Sequence, residues 1–96
     1  IYMSSEFEKV EKEDVSGYNF PDGEVLKKED ERKLIRTALD RAIALGNLEH
    51  HKVKIFFEDA KNKKVVHTTI WAVTEKYIVL KQNVTIPIQR IHKLEI

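Results

Sequence analysis

Nine Lys and Arg side chains fall within residues 52–93, with His67 among them: Lys52, Lys54, Lys61, Lys63, Lys64, Lys76, Lys81, Arg90 and Lys93. Cations gathered on one surface neutralise phosphates, and a single strand of nucleic acid is held when such a track is joined by aromatic rings that stack on bases. Two rings are available here. Tyr77 is one, and Trp71, the bulkiest side chain of a long β-branched run, is expected in the core. The candidate surface for nucleic acid or a partner is therefore Lys52, Lys54, Lys63, Lys64, Lys76, Tyr77, Arg90 and Lys93.

Catalytic chemistry is thinly supplied. Glu58-Asp59 is a carboxylate pair, but neighbours on an exposed turn share one environment, and acid–base work needs two different ones. His50-His51 are adjacent, and successive strand residues point to opposite faces, so they do not chelate one ion. The chain has three glycines, Gly17, Gly23 and Gly46, and none forms a phosphate-binding loop. It has no cysteine, which removes disulfides, thiolate metal sites and cysteine nucleophiles and suits a reducing compartment. The expectation is a cytoplasmic non-enzyme with no catalytic residues, no cofactor and no metal.

Charge is unevenly spread. Residues 1–46 carry eight Lys/Arg against eleven Asp/Glu, whereas residues 47–96 carry nine against five, with all four histidines. An acidic arm beside a basic body is one reading of such a split. The overall pI near 8.1 lies below the value above 9 typical of committed nucleic-acid binders.

The elements that must position these groups follow from periodicity. Residues 1–23 read as an acidic arm, where Ser5 and Glu8 have capping-box spacing but too few apolar residues follow for a helix to stand alone. Tyr18 and Phe20, among turn formers, are placed to pin that arm to the body. Over 28–45, Leu34, Ile35, Ala38, Leu39, Ala42, Ile43 and Leu45 recur at three and four and define an amphipathic helix. Gly46-Asn47 is expected to end it. From residue 51 the period becomes two. Strands are expected near 52–57, 64–73, 77–80, 84–86 and 91–96, with one tight helical turn at Ile88-Gln89-Arg90.

Ninety-six residues make one core, with 42% hydrophobic and 34% charged residues in the range of globular domains. The organisation expected is α+β: an arm over 1–23, then a single domain over 24–96 in which an N-terminal helix precedes a five-stranded antiparallel, strongly bent barrel. Closing the sheet removes exposed edges, and the helix covers one open end. Where short edges remain, a second copy can pair with them. No run reaches the length of a membrane span, so no membrane partner is expected.

The segments Ile70-Trp71-Ala72-Val73-Thr74-Glu75-Lys76-Tyr77-Ile78-Val79-Leu80 and Val84-Thr85-Ile86-Pro87-Ile88-Gln89-Arg90-Ile91-His92-Lys93-Leu94 resemble the middle and closing strands of the Sm-like branch of SH3-type barrels. Within that group, helix, His-rich junction and barrel are together most similar to bacterial Rho-binding antitermination proteins. The resemblance implies an adaptor that covers another protein's RNA site. The residues themselves point to a binding module for single-stranded nucleic acid or, through the acidic arm, for a basic partner protein. The two readings differ in whether the chain touches nucleic acid itself.

Overall fold

The computed structural model describes residues 7–49 and 51–95. In chain order these form β1 (Glu8–Lys9), a one-turn helix α1 (Lys12–Val15), the long helix α2 (Glu29–Glu49), β2 (Val53–Glu58), β3 (Lys63–Thr68), β4 (Ile70–Val73), β5 (Tyr77–Leu80), β6 (Thr85–Pro87) and β7 (Ile91–Glu95). Short 3-10 turns at Lys81–Asn83 and Ile88–Arg90 flank β6, the second where one tight turn was expected. The fold is α+β with one main helix.

The strands make two sheets and no closed barrel. One sheet runs β1-β3-β2-β7, the other β4-β5-β6. The expected second strand is divided at Thr69, so its first half belongs to one sheet and its second half to the other. Among the described residues no ladder joins β6 to β7. Pro87 ends β6 without an N–H to donate, and the 3-10 turn follows it directly. The long helix is also not the first element, because β1 and α1 precede it.

The arm is built into the body. β1 lies parallel to β3, with Glu8 opposite Lys64 and Lys9 opposite Val65, and the Val10 N–H donates to the Val65 carbonyl at 2.9 Å. Val15 at the end of α1 is a core residue, and the rings of Tyr18 and Phe20 lie 6.3 and 5.9 Å from that of Phe57. Glu8 is in a strand, so the capping-box helix does not form there, while Ser5 and Glu6 lie outside the described residues. Val15→Ala removes two buried methyl groups and leaves a small cavity, so a loss of about 2 kcal/mol in urea unfolding is expected.

Helix α2 buries Ile35, Leu39 and Ala42 against the sheets, chiefly on β4 and β7. Leu34, which the periodicity placed on the apolar stripe, is 69% exposed: Ile35 takes the inward position beside it. The helix also continues through Gly46 and Asn47 to Glu49. A glycine ends a helix when it adopts a left-handed backbone, and no described glycine has positive φ. Inside a helix it costs only about 1 kcal/mol relative to Ala. The remaining core is Val53, Ile55, Phe57, Val66, Ile70, Ile78, Leu80, Ile86 and Ile91.

Candidate functional site

The eight expected site residues go to four places. Lys64 and Arg90 are in the interior, only 5% and 7% exposed, and are removed from the surface. Lys64 Nζ lies 3.3 Å from Asp59 Oδ2 and 4.6 Å from the centre of the Tyr18 ring. Arg90 donates to the carbonyls of Glu58 (3.1 Å), Gly23 (2.6 Å) and Asp59 (3.4 Å). Their expected surface position is corrected: a lone charge is costly to bury, but here their partners make burial tolerable.

Lys54, Lys63 and Lys93 share the outer face of the four-stranded sheet. Lys54 is opposite His67 and Glu95, and Lys93 is opposite Phe56. Aromatic rings underlie this face: Phe7 meets Phe56 edge-on at 5.1 Å and His92 at 5.6 Å. Lys63 and Lys93 sit over Phe7 and Phe56 at 5.9 and 5.4 Å, and Lys93 also pairs with Glu95 at 3.1 Å. His92 Nε2 lies 2.8 Å from Glu58 Oε1.

Lys52 borders a groove of about 430 Å³ at the end of this sheet, where Trp71 is the exposed ring. Trp71 is 52% exposed, and its expected core position is corrected. Val66, Thr68 and Ile70 point inward, so alternation sends Trp71 outward; its size outweighed that signal in the sequence. The β4–β5 register shifts between Ile70 and Ala72, making Trp71 the extra residue of a bulge. Lys81 and His67 complete the basic wall. Lys81 opens a turn in which Gln82 and Asn83 have φ of 66° and 61°, the left-handed backbone of a tight hairpin.

The opposite wall is the arm, which the sequence reading did not connect to this site: Glu11, Lys12 and Glu13. Lys12 Nζ contacts Glu13 Oε2 at 2.8 Å and Gln82 Oε1 at 3.2 Å. The hydrogen bond from Lys12, helped by a backbone N–H, holds the Glu13 carboxyl below its ordinary range. Those two charges cancel locally. Lys52, Lys81 and His67 have no hydrogen-bond or ion-pair partner among the described residues, and share the groove lining with Glu11.

Lys76 and Tyr77 lie at the β4–β5 turn, on a second groove of about 640 Å³ against α2. Four cations (Arg32, Lys33, Arg36, Lys76) meet four carboxylates (Asp22, Glu24, Glu29, Glu75) there. Arg32 is already engaged, donating to the Leu26 and Lys27 carbonyls at 3.0 Å, with Glu24 at 3.5 Å.

Asp59, expected as a solvated turn residue, is buried at 5% exposure. Among the described residues no cluster of three His, Asp or Glu side chains forms a metal site; His51 is exposed and His50 lies outside them. No described helix is long and apolar enough to cross a membrane. No family model, curated protein or solved structure matches this chain.

Proposed function

We propose that this chain is a small non-enzymatic binding module for single-stranded nucleic acid, acting in cytoplasmic RNA metabolism. The observation that carries the reading is the Trp71 groove: an exposed ring beside three basic groups, Lys52, Lys81 and His67, that have no partner among the described residues. An unpaired base offers a π-face to such a ring, and stacking contributes about 1–3 kcal/mol per base. Lys54, opposite His67, extends the basic wall along the outer sheet face. The kinship proposed is with half-open small barrels of the SH3 type, Sm-like in order. It is supported by the strand divided at Thr69 and by the 3-10 turn before the last strand.

Trp71 is the only tryptophan, so its fluorescence reports on the groove directly. Titration with an oligouridylate at low salt is expected to quench it saturably. The slope of log K against log salt should be about −2, for three phosphates neutralised by Lys52, Lys54 and Lys81 at about −0.7 each. Trp71→Ala should weaken binding about tenfold or more, read by anisotropy of a labelled oligonucleotide, and change stability by no more than about 0.5 kcal/mol. Absence of quenching at low salt, or a Trp71→Ala variant that binds as the parent does, overturns the reading. The alternative is then an adaptor of the Rho-binding kind without nucleic-acid contact. The larger, charge-balanced groove beside α2 favours it as a protein-docking surface.

A further inference from the structure

A strand stacked on Trp71 must leave the groove in some direction, and the two sides differ. Toward the arm it meets Glu11, and the way is crossed by the Lys12–Gln82 contact. Toward β5 and β6 it meets a sheet face that is exposed among the described residues. Ala72 is opposite Val79, and alternation puts Tyr77 on the same side as Val79. Ile78 and Leu80 point the other way, into the core. Ala72, Tyr77 and Thr85 are exposed on this outer face, and none is charged.

We propose that Tyr77 is a second stacking position of the same site. Its ligand is then an unpaired strand of at least three nucleotides, running from Trp71 across the outer face of β4 and β5 to Tyr77. This deepens the single-strand reading and rests on it. The spacing sets the length. Two to three residues along a strand at about 3.4 Å each, and one strand spacing of about 4.8 Å across, separate the two backbones by about 10 Å. Neighbouring bases along a stacked strand are only about 3.4 Å apart, so one stacked pair does not reach both rings.

Tyr77 is held for this role by its backbone and is half-exposed at the edge of the groove against α2. Thr74 Oγ1 accepts the Tyr77 N–H at 2.9 Å and donates to the Tyr77 carbonyl at 3.2 Å. Pro87 stands opposite Tyr77 on β6. Cations sit at both ends of the path and not between, Lys81 beside Trp71 and Lys76 beside Tyr77. Phosphates would be paired where the strand enters and leaves, while bases cross the apolar middle. A duplex presents no free base faces to either ring.

The test keeps Trp71 as the reporter in every protein and uses diuridylate, octauridylate and an eight-base-pair RNA duplex. Tyr77→Ala is expected to lose about fivefold or more in affinity for the octamer and to bind the dimer within about twofold of the parent. Tyr77→Phe should retain octamer affinity, since the ring and not the hydroxyl stacks, and the duplex should not quench. A Tyr77→Ala protein that binds the octamer normally, or loses dimer and octamer alike, overturns the second position while leaving the Trp71 site intact. A parent protein that no single strand quenches overturns the single-strand reading and this inference together.

Discussion

Asp59→Ala is expected to lower unfolding stability by about 3 kcal/mol or more, a large share of what a domain of this size holds. Asp59 Oδ1 accepts the backbone N–H groups of Lys61 and Asn62 at 3.0 and 2.7 Å, and Oδ2 faces the buried Lys64 ammonium at 3.3 Å. Without the carboxylate two donors lose their acceptor. Lys64 is then left with Glu8 at 3.9 Å, which is mostly exposed, and the face of the Tyr18 ring. Lys64→Met should cost less, because Asp59 keeps both backbone hydrogen bonds. Urea midpoints of the two variants give the comparison, and equal losses would contradict it.

The same pair predicts a pH dependence. Burial pushes the Asp59 pKa up, but the Asn62 and Lys61 N–H groups and the Lys64 ammonium outweigh it and hold the carboxyl below its ordinary value. A carboxyl depressed in the folded state contributes its stability above the unfolded value and loses it as pH falls through the folded one. Stability should therefore decline below about pH 4, and Asp59→Ala should flatten that decline.

Arg90→Met is expected to cost about 3 kcal/mol, lowering the thermal midpoint by about 12 °C or more. One guanidinium ties the segment at Gly23 to the end of β2 and the turn beyond it, and its Nη2 lies 3.8 Å from Glu58 Oε2. Arg90→Lys should also fall well short of the parent, since a single ammonium does not reproduce a fixed fork with three carbonyl partners. Calorimetry of both variants checks this. A lysine variant as stable as the parent would show that charge alone suffices.

These two clusters also mark where the sequence stopped being legible. Alternation located the extended segments of residues 53–95 but not the break at Thr69, and the three-four spacing located α2, because both patterns are local. The burial of Lys64, Arg90 and Asp59 depends on partners brought together by topology: Gly23 and Arg90 are 67 positions apart. Read singly, each charge belongs at the surface. Trp71 differs, since alternation with inward Val66, Thr68 and Ile70 sets it outward while its size favours the core. Lys52, Lys54 and Tyr77 remain exposed at the places where the strand pattern set them. The arm wall of the Trp71 groove had no counterpart in the sequence, because parallel pairing between β1 and β3 leaves no short-range signature.

That parallel pairing has an effect beyond the groove. β3 is six residues long and rich in valine, and β1 occupies the flank that β2 does not. Glu8 and Lys9 make β1 too short and too polar to recruit another chain. Segment 8–10 thus works as a stopper against lateral growth of the sheet. A chain nicked just after Val10 would keep most of its core while baring a ready template for its neighbours, so its characteristic failure would be self-association ahead of unfolding.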